Sequence, residues 1–222
     1  LTGSNAPSEG LVALVRSCQE RGIPTAFWNK EDPPHFEDFL DTARLFDVVF
    51  TTDSDVIPKY VEKLGHNNVF TLPFAAQPKI HNPIKNGSWD SRKDMAFAGT
   101  YFAHKFQSRR EQMDLLLGAA EEISSEYGRS FDIFSRHYGK DHKYQFPGVL
   151  KQHVVGSLPY AQILSAYKDY KVFLNVNSVT SSPTMCARRV FEILASGTFV
   201  ATTPSIAIER FFKNDEILIT RS

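Results

Sequence analysis

The chain has 222 residues, enough for one large domain or two small ones. Its 25 basic and 25 acidic side chains balance, which removes any electrostatic case for nucleic acid or an anionic membrane as the main partner. A hydrophobic content of 42% with 18 Phe supplies a packed core, yet no apolar run reaches membrane-span length and no signal peptide is visible.

Residues 8 to 21 read as an amphipathic helix, with Leu11, Leu14, Val15 and Cys18 on one face and Ser8 as its cap. Residues 23 to 28 form a strand that runs into the polar loop from Asn29 to Phe36. Asp32 and His35 in that loop read either as an acid–base pair or as parts of a Pro-rich turn and helix cap. A helix over 36 to 45 and a strand over 46 to 52 follow. Asp53-Ser54-Asp55 has the form of a metal–diphosphate motif, but it reads as the cap of a helix over 56 to 64, and no metal is expected. A third strand, 69 to 74, completes three β–α repeats, half of a doubly wound domain. Asn86 to Lys93 is the one stretch with linker composition. The expected division is therefore a first domain over 1–85, a linker over 86–93 and a second domain over 94–222.

The second domain opens with a strand over 95 to 101. Gly99 permits close backbone approach, and the helix after it, from about Lys105 to Tyr127, offers amides, Lys105 and Arg109 to a diphosphate. Further strands are read at 131–134, 154–155 and 171–177, with a helix over 159–167 and an irregular loop over 140–151. In the next helix Val190, Ile193 and Leu194 share one face, Arg188, Arg189 and Glu192 lie near its start, and Gly197 marks its left-handed stop. A buried strand over 198–201, a helix over 206–212 and a strand over 217–220 close the chain. The helix start reads either as an ordinary solvated face or as a ligand site, with arginines toward phosphate and Glu192 accepting from sugar hydroxyls. Cys18 and Cys186 form no framework or metal spacing and read as small buried hydrophobes, in keeping with a reducing, cytoplasmic compartment. Leu1 is not an initiator methionine and Arg221-Ser222 reads as a cut, so a fragment of a longer chain is expected.

Residues 189 to 200, Arg-Val-Phe-Glu-Ile-Leu-Ala-Ser-Gly-Thr-Phe-Val, resemble the R-x-F-E-x-x-A-x-G-x-x-V segment of nucleotide-sugar glycosyltransferases with two Rossmann-like domains, the GT-B architecture. Four more segments occur in the order of one GT-B family, the CgeB-like spore-maturation and polysaccharide glycosyltransferases. They are Asn29 to Pro33 with His35-Phe36, Phe46 to Asp53, Leu72 to Ala76 with His81-Asn82-Pro83, and Phe97 to Tyr101.

The resemblance implies an α/β fold of two doubly wound parallel-sheet domains, with the first incomplete and the second shortened at its C-terminal end. It implies a hexosyltransferase-type reaction, moving a sugar from a nucleoside diphosphate such as UDP to a hydroxyl of a glycan, protein or small molecule, without metal or cofactor. Glu192 would hold the ribose, and Arg136 would lie near the base. Gly99, Thr100, Tyr101, Lys105, Arg109, Arg188 and Arg189 would gather around the diphosphate, with Thr184 in the same donor site. Asp32, His35 and His81 would be the catalytic candidates, in the first domain. Many retaining relatives carry a glutamate where this chain has Thr184, which leaves retention or inversion unassigned. A sugar-nucleotide epimerase or phosphorylase on the same fold, or a non-catalytic module that has kept it, are the alternatives.

Overall fold

Local signals in the sequence start and stop the elements of the first half. The Ser8 hydroxyl accepts from the Leu11 amide at 3.3 Å and opens α1, Glu9–Glu20. The computed structural model describes residues 6–84 and 88–221. Strands β1 (Ala26–Asn29), β2 (Val48–Thr51) and β3 (Val69–Thr71) pair in parallel in the order β1-β2-β3. Helices α2 (Phe36–Ala43) and α3 (Ile57–Leu64) make the crossovers, and Gly65 ends α3 at φ 75°. Their apolar faces enclose Phe36, Leu40, Ala43, Val49, Tyr60 and Val69. β1 starts after Pro24 and β3 stops short of Pro73, each of which lacks an N–H to extend its ladder.

The second half builds a larger sheet. Its strands are β4 (Lys93–Gly99), β5 (Phe131–Ser135), β6 (Val154–Gly156), β7 (Tyr170–Asn175), β8 (Phe199–Thr202) and β9 (Leu218–Ile219). All pairs are parallel, in the order β6-β5-β4-β7-β8-β9, so the order reverses between β4 and β7. The helices are α4 (Gln107–Tyr127), α5 (Tyr160–Asp169), α6 (Arg189–Ala195) and α7 (Ile206–Phe211). Alternation along the strands divides the apolar residues between two cores. Phe97 and Leu174 pack on one face with Met113 and Leu117 of α4, while Ala96 and Phe173 pack on the other with Val190 and Ile193 of α6. A sheet covered on both faces, with this strand order, is doubly wound.

By internal contacts the chain divides into two units, one through Phe74 together with Ser181–Met185, the other Ala75–Thr180 with the chain from Cys186 onward. The division falls ahead of the expected boundary at 85. Of the expected linker, residues 86 and 87 lie outside the described residues, Trp89–Ser91 form a 3-10 turn, and Lys93 already belongs to β4. Among the described residues no helix is long and apolar enough to cross a membrane.

Two anchors tie distant segments down within their units. In the first, the Thr184 hydroxyl donates to Thr52 O at 2.8 Å and accepts from the Ser54 amide at 2.9 Å. Ser182 donates to Asp53 Oδ1 at 2.6 Å. In the second, Gly197 ends α6 at φ 72°, and a Cβ there would stand 2.8 Å from Pro83 Cβ. Gly197→Ala is therefore expected to destabilise by about 1–3 kcal/mol, the scale of a non-glycine residue held left-handed. Urea unfolding measures it, and an unchanged midpoint would show that Pro83 does not press on α6.

Candidate functional site

In an open α/β sheet, ligands bind beyond the carboxyl ends of the strands where the strand order reverses. Here that point lies between the ends of β4 and β7. Gly99 ends β4, and a Cβ on it would come within 2.9 Å of Phe97 Cζ and 3.6 Å of Arg109 Nη2, so only glycine leaves the backbone open there. Three successive carbonyls at this strand end are each taken by a cationic residue. Arg189 Nη1 donates to Ala98 O, the Arg136 amide to Gly99 O at 3.1 Å, and Arg109 Nη1 to Thr100 O at 3.2 Å. Arg109 Nε also donates to Ser178 Oγ, just beyond β7, at 3.2 Å.

The two guanidiniums converge, Arg109 with no carboxylate among the described residues acting on it and Arg189 within reach of the Glu192 charge. Burial, and then the charge of Arg189, pull Arg109 down to about 10, which still leaves it cationic at neutral pH. Arg189 is also held below its ordinary range, chiefly by burial. Among the described residues Arg109 pairs with no carboxylate; its partners are a carbonyl, a hydroxyl and the Met113 sulfur. Two half-buried cations fixed on backbone carbonyls make a rigid site with an affinity for anions.

Beside it, α6 buries Glu192 to 3% exposure. Glu192 Oε1 lies 2.9 Å from Arg188 Nε and accepts from the Tyr160 hydroxyl at 3.2 Å, and Oε2 accepts from the Tyr167 hydroxyl at 3.4 Å. Burial, with the Glu192 charge adding to it, pushes both phenols up, so each remains a protonated donor. His81 Nε2 stands 3.6 Å from Glu192 Oε1.

The structure thus gathers Gly99, Thr100, Arg109, Arg136 and Arg189 at one strand end, and Arg188, Glu192 and His81 along α6. His81 falls with the second unit and not with Asp32 and His35. The remaining expected residues stand elsewhere. Tyr101 is buried in the α4 core and its hydroxyl donates to Asp114 at 3.2 Å. Lys105 lies over the rings of Phe102 and Phe106, 4.9 Å from each centroid. Thr184 belongs to the first unit, with its hydroxyl occupied on both sides.

Asp32 and His35 are not a pair. Asp32 is fully buried and accepts from Asn29 at 2.7 Å, Thr51 at 2.6 Å and Tyr60 at 3.1 Å, while half-exposed His35 bonds Asp38 at 2.7 Å. Asp53 accepts from the Asp55 amide at 3.1 Å and caps the turn Ser54–Val56. Among the described residues no group of three His, Cys, Asp or Glu side chains gathers as a metal site.

Ser178, Tyr160 and Tyr167 join the site without having been singled out in the sequence. Ser178 follows a clear strand and opens the Ser/Thr-rich stretch, a usable signal. The two tyrosines carry none. A concavity of about 490 Å³ runs along α5 against the starts of β4 and β7, lined by Lys93, Gln162 and Tyr170 among others, and contains no expected site residue.

A doubly wound parallel sheet with cationic side chains where its strand order reverses places the chain among open α/β proteins, which take their ligands at that point. The glycosyl transferase-like family model matches residues 109–222, and the chain belongs to that family, one of transferases with the GT-B-like fold. No curated protein matches the chain by sequence. Among solved structures it is similar to an alpha,alpha-trehalose-phosphate synthase (UDP-forming) from Burkholderia vietnamiensis, at 12% identity and TM-score 0.51, covering 91% of this chain and 59% of that one. A glycosyltransferase from Rickettsia africae ESF-5 aligns at 10% identity and TM-score 0.51, over 96% of this chain and 68% of that one. The pneumococcal O-GlcNAc transferase GtfA, solved in complex with UDP and GlcNAc, aligns at 14% and 0.50, over 94% and 43%. The chain spans 59% of the first of these structures and 43% of the last. At these identities the likeness concerns the fold.

Proposed function

We propose that this chain carries the donor site of a glycosyltransferase that moves a sugar, of hexosyl type, from a nucleoside diphosphate to an acceptor hydroxyl. The observation that carries this reading is the pair of guanidiniums, Arg109 and Arg189, anchored on the carbonyls either side of Gly99. Negative charge develops on the departing diphosphate in the transition state, and donors fixed in advance around it lower the barrier without reorganising. The clamp supplies that charge itself, which supports a metal-independent, cofactor-free reaction. Glu192 would take the ribose diol and Arg136 would lie by the base. The five sequence segments favour a CgeB-like member acting in the cytoplasm in polysaccharide biosynthesis, with UDP the first donor to try and a glycan, protein or small molecule as acceptor. The balanced charge argues against a nucleic acid partner.

The test is release of the nucleoside diphosphate from UDP-, GDP-, CDP- and ADP-sugars, with and without an acceptor mixture. Acceptor-dependent release from one nucleotide class supports the reading. Binding with no release from any would favour a second one, a non-catalytic module, for which the sealed Asp32 speaks. Thr184→Val separates anchor from donor ligand. Because it breaks the bonds to Thr52 and Ser54, a stability loss of about 1–3 kcal/mol is expected, with unchanged diphosphate affinity. Weakened affinity at unchanged stability would return Thr184 to the donor site.

A further inference from the structure

Three groups stand around Glu192 Oε1 at unequal distances: Arg188 Nε, ion-paired at 2.9 Å, the Tyr160 hydroxyl, hydrogen-bonded at 3.2 Å, and His81 Nε2 at 3.6 Å, too far for a hydrogen bond. The first two lie on the solvent side. The Arg188 side chain is 46% exposed, Tyr160 is 52% exposed, and the guanidinium sits 5.3 Å from the Tyr160 ring centroid. His81 is the buried one. Its Nδ1 accepts from the Gln77 amide at 2.9 Å, so the neutral ring carries its proton on Nε2. That N–H is buried and has no hydrogen-bond partner, and its nearest carboxylate oxygen is Glu192 Oε1. A buried donor left unpaired is costly, so His81 gains by closing the gap whenever the competing cation leaves that oxygen.

A ribose diol donating to both oxygens of Glu192 would compete with Arg188 for Oε1. Arg188 immediately precedes Arg189, and its charge already acts on the Arg189 guanidinium, so an anion held at the clamp lies within electrostatic range of Arg188. We propose that Arg188 serves two anions in turn, the Glu192 carboxylate as in this structure and the phosphates of a nucleoside diphosphate. His81 is then the positioning residue that holds Glu192 through the exchange. The inference rests on the donor-site reading above. The segment bearing His81 is braced from two sides. Lys168 Nζ donates to Asn82 Oδ1 at 3.1 Å and to Ile84 O at 3.0 Å, and Pro83 packs on Gly197.

The test follows the His81 Nε2–H proton by NMR in the wild type, in Arg188→Ala, and in the wild type saturated with UDP, GDP, CDP or ADP. A shorter, charge-assisted bond moves such a proton downfield and slows its exchange with water. Arg188→Ala and a bound diphosphate are each expected to produce that change, and Glu192→Ala to remove both. By calorimetry, His81→Ala is expected to weaken the bound diphosphate about tenfold, with most of the loss restored in His81→Gln, whose amide still donates. An unmoved His81 signal in Arg188→Ala overturns the exchange without any nucleotide entering the experiment. A diphosphate that binds calorimetrically but leaves the signal in place also overturns it. No heat from any of the four removes the donor reading itself, and the exchange with it.

Discussion

Arg109→Gln is expected to lower turnover of a nucleoside diphosphate sugar by about 10²–10³, the loss seen when one preorganised donor to a developing anion is removed. The side chain is close to a pure charge test. Its partners are Thr100 O, Ser178 Oγ and Met113 Sδ, and a glutamine amide, which ends where Arg109 Nε stands, still reaches Ser178 Oγ and gives up only the neutral contacts made by Nη1. Charge is what disappears. Because Arg189 repels Arg109, removing that charge relieves the repulsion, and the variant should melt at or above the wild-type temperature. Stability and activity therefore move in opposite directions, which ordinary structural damage does not produce. Diphosphate release and thermal denaturation on the same preparation check both halves. Undiminished turnover would show that the clamp has no part in catalysis.

The second large effect is on stability and concerns Asp32. Burial pushes its carboxyl up to about 6; bonds from Thr51 and Tyr60 pull against this, and the charge of Asp53 adds to it. In the unfolded chain the same group titrates near 3.9. The folded state therefore binds the proton more tightly. Below about pH 4 both states are protonated and the stabilisation from Asp32 is complete; as pH rises through about 6 it is lost. The amount is about 3 kcal/mol. Carboxylates held down by their partners, such as Asp47 and Asp94, act with the opposite sign, but they cancel in a comparison of two proteins. Urea unfolding of wild type and Asp32→Asn is expected to show the wild-type advantage shrinking by that amount between pH 4 and 7. A difference that stays flat would place the carboxyl in water.

These two sites mark how far the sequence carries. Periodicity is local information, and it located what depends on local information: the apolar face of α6, the stop at Gly197, the buried strand after it and the glycine ending β4. The doubly wound order followed from the alternation of strand and helix. Side-chain destinations did not. Asp32 and His35 stand three apart, yet one is sealed under Tyr60 and the other turns to Asp38, because a buried turn and a helix start sort neighbours to different surroundings. Tyr101 follows the strand-end glycine like a ligand contact but fills the core and bonds Asp114. His81 meets Glu192, and Thr184 bridges Thr52 and Ser54, across separations no window of residues spans. Tyr160 and Tyr167 became part of the Glu192 environment only when α5 was packed against α6.

The central claim is a nucleoside diphosphate site at the reversal of the second sheet. Its most direct test is calorimetric titration of the chain with UDP, GDP, CDP and ADP, without metal, beside Glu192→Ala. Selective binding of one of the four is predicted, weakened in the variant by the roughly 1.5–3 kcal/mol of a charged hydrogen bond. Binding that ignores the base and is untouched by Glu192→Ala, or no binding at all, would contradict it.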